Sequence, residues 1–294
     1  MEIRMLRYFL VVAEQQNIAK AAQTLHITPP TLSRQIKSLE ESLGSDLFIR
    51  ESRQLELTES GLFLKKRAED ILELNDKTEK EFNDSKQELL SGHISIGCVE
   101  ADNSDTLALM LEEFVAEHPQ VTFSIFSGTS DDIVDRLDKG LLDLALLLEP
   151  ISTEKYHKLI LPREEKWGLM VSTQSYLASK NSIQIEELPG IPLLCSPREE
   201  IQEMITSWDA LQNKKLNIVG TYNLIFNVFS LVENRVGSAL TIEGAMANRD
   251  TSSVKFLPIV PEITTHCVLV WRKNTLLTPS VNQFVEKFIQ AFQA

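Results

Sequence analysis

The sequence predicts an α/β protein with a small helical head, one long helix and two α/β subdomains. Three observations carry that prediction. Residues 21–40 read as two short helices joined by a tight turn. The stretch from Glu59 to Leu90 holds no glycine or proline after Gly61. From His93 onward, apolar runs of strand length alternate with amphipathic helical segments, the pattern of sheets covered by helices. The 294 residues suit two or three compact domains, and 43% hydrophobic with 24% charged residues is ordinary for a globular chain.

The head opens with a helix over about residues 3–15, whose inner face is Leu6, Phe9, Leu10 and Ala13. Asn17 is placed to cap a second helix that turns Ala22 and Leu25 inward. Thr28 caps the third, and Pro29 suits its first position because no partner awaits the missing N–H. Leu32, Ile36, Leu39 and Leu43 form one stripe of that helix, with Ser33, Arg34 and Lys37 off it, and Gly44 ends it. Two packed amphipathic helices also occur in proteins that never touch DNA. Here the outer face is hydroxyl-bearing and cationic, which suits the major groove. Residues 47–57 read as a short hairpin, and a tip bearing Arg50 and Arg53 can follow phosphates or enter the minor groove.

Thr58 or Ser60 starts the long helix. Leu64, Ala68, Ile71, Asn75, Thr78, Phe82, Ser85 and Leu89 alternate spacings of four and three, a heptad seam. A dimerising coiled coil is preferred over a solvated connector, because so polar a helix has little to hold it alone. Leu64, Ile71, Asn75 and Phe82 are its expected contacts, and a buried Asn75 could fix its register.

Ser91-Gly92 marks the hinge into the α/β portion. Strands are expected at 93–99, 121–126, 142–148, 158–161, 167–172, 192–195, 216–220, 238–242 and 267–271. Helices are expected at 104–118, 131–139, 197–208, 223–234 and 279–292. Such alternation argues for mostly parallel sheets covered on both faces.

Bulk charge does not point to nucleic acid: the net charge is −13. The DNA argument therefore rests on local placement, Arg34 and Lys37 on one helix face and Arg50 and Arg53 on one hairpin. The opening residues do not form a signal peptide, and the apolar run from Leu141 to Leu148 is short and interrupted by Asp143, so a cytoplasmic protein without a membrane span is expected. Cys98, Cys195 and Cys267 give no disulfide framework, and His26, His93, His118, His157 and His266 are dispersed without metal-ligand spacing. A nucleophile elbow and a phosphate-binding glycine loop are both missing. No metal, no cofactor and no enzymatic activity are expected.

The run from Leu6-Arg7-Tyr8-Phe9 to Thr58-Glu59-Ser60-Gly61 resembles the winged helix-turn-helix of LysR-type transcriptional regulators. Phe114-Val115-Ala116-Glu117-His118-Pro119-Gln120-Val121 and residues 140–146 (GLLDLAL) are similar to that family's effector domain. The resemblance implies three parts: an N-terminal winged helix-turn-helix over 1–58, a linker and dimerisation helix over 59–90, and an effector domain over 91–294. That last part would be a two-subdomain α/β domain of periplasmic-binding-protein type. Subdomain I would take about 91–162 and 266–294, and subdomain II about 163–265. The implied partners are double-stranded promoter DNA, a small-molecule effector, RNA polymerase and further copies of the chain, as a dimer and a dimer of dimers.

The expected DNA contacts are Thr28, Pro30, Thr31, Ser33, Arg34, Lys37, Arg50 and Arg53. Pro29 stands where the family often has Gln, so base contacts must come from its neighbours. An effector cleft in such a fold gathers helix N-termini and hydroxyls, which singles out Asn103, Ser104, Thr129, Ser130, Ser196 and Arg198. The hydroxyls among them suit plain helix capping equally well. Residues 236–243 (VGSALTIE) depart from the family's usual glycine-rich run, so no contact is carried over there. Glu100, Asp102 and Asp105 disfavour a polyanion, whereas Arg198 could pair with a carboxylate. A transport-type solute-binding protein would lack the 90-residue N-terminal part. A cysteine switch would need two thiols close together or one low-pKa thiol, with Cys195 the most open candidate.

Overall fold

The computed structural model describes residues 1–49, 55–84, 90–152, 154–208, 211, 214–247 and 250–292. The chain divides into two compact units, Met1–Asn83 and Asp84–Ala294.

The first unit runs α1 (Ile3–Gln15), α2 (Ile18–Thr24), α3 (Pro29–Leu43), β1 (Phe48–Ile49), β2 (Glu56–Leu57) and α4 (Glu59–Asp84). Local chemistry sets these boundaries. The Asn17 side chain accepts hydrogen bonds from the amides of Ala19 and Lys20 at 2.9 and 3.1 Å. The Thr28 hydroxyl caps α3 by accepting from the Thr31 amide. His26 takes the left-handed conformation that the turn between α2 and α3 requires, and Gly44 takes it at the end of α3. Leu6, Phe9, Val12, Leu32, Ile36 and Leu39 form the core with Leu47 and Phe48. Leu43, expected in the stripe, is 41% exposed because the helix stops there. The buried Glu40 carboxylate accepts from the Leu47 amide at 2.9 Å and ties α3 to the strand that follows.

Helix α4 departs from the expected seam. Leu64 is only 7% exposed and, with Ala68, belongs to the head's own core. It is therefore not available to a second chain. Ile71 and Leu72 pack on the same core, and Arg7 of α1 pairs with Asp76. The head itself supplies the partner surface that the polar helix needs. Asn75 is half-buried and donates to the carboxylates of Asp76 and Glu79. The Thr58 hydroxyl, not Ser60, caps α4: it accepts from the Gly61 amide at 3.0 Å and donates to the Asp46 carbonyl at 2.7 Å.

The second unit runs β3 (Gly92–Cys98), α5 (Ser104–Glu117), β4 (Val121–Ser127), α6 (Ser130–Asp138), β5 (Leu144–Leu148) and β6 (Tyr156–Ser172). Then come β7 (Ile183–Gln184), β8 (Leu193–Cys195), α7 (Glu199–Thr206), β9 (Ile218–Thr221), α8 (Val228–Glu233) and β10 (Ser238–Ile242). It closes with β11 (Val254–Val260), β12 (Thr264–Arg272) and α9 (Pro279–Phe292). The strand order is β4-β3-β5-β12-β6-β10-β8-β9. Strands β4, β3 and β5 are mutually parallel, as are β10, β8 and β9. Two α/β subdomains result, joined by β6 and β12.

Those two strands pair antiparallel with each other, with β5 and with β10, so the sheet is more mixed than the sequence predicts. The expected strands at 158–161 and 167–172 are one strand. Pro162, which lacks a ladder donor, lies opposite a register shift between His266 and Val268 that absorbs the defect. Strand β11 has no counterpart among the expected elements, since Pro258 reads against a strand; it pairs opposite Gly168. Helix α9 returns to subdomain I, where Phe284 packs 5.0 Å from Phe114, ring centre to ring centre.

Candidate functional site

Two regions gather the functional candidates, one in each unit. On α3, at 100° per residue, Pro30, Ser33, Arg34 and Lys37 share a face opposite Leu32, Ile36 and Leu39. Pro30, Arg34 and Lys37 are exposed, while Thr31 and Ser33 are half-buried at the margin. The Arg34 Nε–H donates to the Pro30 carbonyl at 3.4 Å, and Lys37 lies 3.8 Å from Glu41 one turn on. Both cations keep most of their donors for an outside acceptor. Thr28 is occupied as the cap and also bonds the Thr31 hydroxyl at 2.8 Å. Arg50 and Arg53 lie outside the described residues.

In the second unit a cavity of about 110 Å³ opens between the subdomains. Subdomain I contributes Val99, Glu100, Thr129 and Ser130, and subdomain II contributes Ser196, Arg198, Tyr222, Asn223, Ile225 and Thr241. Trp167, on a strand common to both, also lines it. Among the described residues, two polar links cross the cleft. The Arg198 side chain, 9% exposed, reaches Asp131 at 3.2 Å and the Pro150 carbonyl at 3.3 Å. The Glu100 carboxylate accepts from the Ile225 amide at 2.9 Å. Burial holds the Tyr222 hydroxyl well above its ordinary pKa, so it stays protonated and donates to the Leu240 carbonyl at 2.8 Å.

The structure brings together four of the six expected effector residues: Thr129, Ser130, Ser196 and Arg198. Asn103 and Ser104 fall elsewhere. Asn103 is fully buried, and its Nδ2 donates to the Arg163 carbonyl at 3.3 Å and to Glu165 at 3.4 Å. The Ser104 hydroxyl turns back to the Ala101 carbonyl at 2.7 Å and lines a separate apolar groove beside Leu107 and Phe123. The loop after β3 folds onto the crossing strand and leaves only its first residues in the cleft. Thr129 lines the cavity yet caps α6 in a complete capping box with Asp132. Sequence reasoning did not name Trp167, which reads most simply as a core or subdomain-interface residue, nor Tyr222, and it assigned residues 223–225 to a helix that in fact begins at Val228. Their signal was the loop that follows β9 at the cavity's edge.

All three cysteines are buried thiols. Burial raises the pKa of each, that of Cys195 to about 11, so none has the thiolate character of a redox sensor. Cys195 is fully buried rather than open. Among the described residues, no group of three His, Cys, Asp or Glu side chains could hold a metal, and no helix is long and apolar enough to cross a membrane.

A helix-turn-helix head followed by a two-lobed binding domain defines a ligand-responsive DNA-binding protein. Residues 3–62 match the family described as bacterial regulatory helix-turn-helix protein, lysR family, and residues 87–293 match the LysR substrate binding domain. The chain belongs to the LysR family of DNA-binding transcriptional regulators. It is 29% identical over 97% of its length, and 95% of the relative's, to the uncharacterized regulator YwbI of Bacillus subtilis. It is 27% identical to the Hca operon transcriptional activator HcaR of Escherichia coli, over 97% and 96% of the two chains. Its fold is similar to that of full-length CbnR crystallised with target DNA, with a TM-score of 0.78 at 23% identity, covering 99% of this chain and all of that one.

Proposed function

We propose that the α3 face formed by Pro30, Thr31, Ser33, Arg34 and Lys37 reads promoter DNA, and that a small effector in the Thr129–Ser196–Arg198 cleft controls that binding. The carrying observation is the α3 face itself. Its apolar stripe is buried while Arg34 and Lys37 stand exposed on the other side. Arg50 and Arg53 would add phosphate contacts. The exposed apolar residues Phe63, Leu74 and Phe82 of α4 would pair two chains so that two recognition helices meet successive major grooves, and pairs of dimers would extend the contact. Such a regulator works in the cytoplasm, beside RNA polymerase.

Effector control follows from the two links across the cleft. A ligand that alters the Arg198–Asp131 or Glu100–Ile225 contact shifts the balance between closed and open subdomains by its differential affinity for the two. The test is a gel shift on the protein's own promoter region at fixed salt. Arg34→Ala should lower affinity by roughly 1–3 kcal/mol per half-site, with an unchanged melting temperature. Retained affinity would refute the assignment of the face.

A further inference from the structure

We propose that Trp167 sets the specificity of the cleft, and that the effector is a compact uncharged molecule presenting one acceptor oxygen to the indole N–H. The inference rests on the cleft being the effector site. Trp167 is 4% exposed and lines the cavity, yet its Nε1–H has no acceptor within the protein. Indole nitrogen is a donor only, so whatever satisfies it must carry a lone pair. Buried donors are almost always paired, and one left unpaired on a side chain that lines a binding cavity marks a place where a ligand can supply the missing half once the subdomains part.

Size and charge narrow the class. A cavity of about 110 Å³ is on the scale of the roughly 150 Å³ that admits benzene, so the ligand is small. Val99, Leu148, Leu240, Ile242 and Ala245 give it apolar walls. Arg198 lines the cavity, but its guanidinium already faces the carboxylates of Asp131 and Glu200. Glu100 adds a further negative charge at the wall. An anion would meet the Glu100 carboxylate and an arginine already paired, whereas a ketone, aldehyde or amide oxygen meets the indole N–H at no such cost.

Nitrogen-15 indole spectra of the full-length chain test this, because Trp167, Trp208 and Trp271 are its only tryptophans. Each resonance is assigned from its Trp→Phe variant. The probes are cyclopentanone, cyclohexanone and δ-valerolactam, with methylenecyclohexane as the same shape without oxygen and cyclopentanecarboxylate as the anion. The carbonyl probes should move the Trp167 indole proton downfield and leave Trp208 and Trp271 in place. Trp167→Phe should weaken their binding about fivefold to tenfold, the worth of one neutral hydrogen bond. The parent spectra decide the matter if that variant folds poorly.

An equal shift with methylenecyclohexane, or tighter binding of the carboxylate, would overturn the proposal. So would an unmoved Trp167. In that case the backbone amides of Ser130, Ser196 and Ile225 separate the two readings. If they respond, the cleft binds ligand without Trp167; if they too are still, the cleft assignment falls with it.

Discussion

Glu165 shows how one side chain can report on its surroundings. It stands on the crossing strand β6, accepts from the Asp102 amide at 2.8 Å, and is only 2% exposed. Burial raises its pKa above the ordinary 4.5, against the opposing pull of its hydrogen bonds. The native state therefore holds this proton to higher pH than the unfolded chain does. The stability contributed by the neutral form is present in acid and is lost as pH rises through the raised value. Glu165→Gln keeps an acceptor but cannot ionise. Urea midpoints of the variant and parent should coincide in acid and separate as pH rises, with the variant higher at pH 8; parallel curves would contradict this account. Thr129→Val removes a cap that α6 uses, so the unliganded melting point should fall by the equivalent of about 1 kcal/mol in calorimetry. Both the capping and the cleft reading of Thr129 were legible in the sequence, because a hydroxyl before a helix serves either. Which way Asn103 points was not legible, since that depends on how the loop returns to β6.

At the scale of the element, the apolar residues of α4 divide between the head's core and the outside. Leu64 and Ala68 face the head's core. Phe63, Leu74 and Phe82 are 67%, 40% and 69% exposed and, with the half-buried Ile71, fall within about 100° of arc. This exposed stripe shares Ile71 and Phe82 with the heptad seam that spacing suggests and adds Phe63 and Leu74 beside it, which makes it the expected pairing surface. Leu64→Ala should destabilise the head by about 2–5 kcal/mol. A Phe63→Asp, Leu74→Asp double variant should leave the head's melting point nearly unchanged and yield smaller species in sedimentation. The parental mass retained in that variant would make α4 a spacer only. Helix ends were readable in this unit because the capping side chains are local: Asn17, Thr28 and Gly44 act within a few residues of themselves. The partner of a helix face is not local, which is why Leu64 was misassigned. The same limit hid β11, whose strand character comes from pairing with β6 and not from its own composition.

On the scale of the effector domain, the two subdomains meet at Gly244 as well as across the cleft. A Cβ there would lie 2.3 Å from both the Asp102 amide nitrogen and the Glu165 carboxylate. Gly244→Ala should therefore force the turn after β10 away from the loop after β3. Small-angle scattering of residues 84–294 should show a larger radius of gyration than for the parent. An unchanged radius would show that the turn yields locally without moving the subdomain. The alternation of strands and helices made the two-lobed architecture visible in the sequence, and the resemblance of residues 140–146 to a known effector domain strengthened it. Only the resemblance put the crossings near residues 162 and 265, inside β6 and β12; local pattern did not mark them as shared, because nothing local distinguishes a strand that serves one sheet from one that serves two.

That sharing of β6 and β12 has a consequence for synthesis. Subdomain II is an insertion, complete before β12 leaves the ribosome, whereas subdomain I needs β12 between β5 and β6 and α9 against Phe114. At translation rates of about 5–20 residues per second, the first half of subdomain I waits roughly ten seconds for its last pieces. During that interval one edge of β5 is unpaired and the Phe114 face is bare. The inserted lobe is ready first, and its host is the part of the nascent chain left open longest.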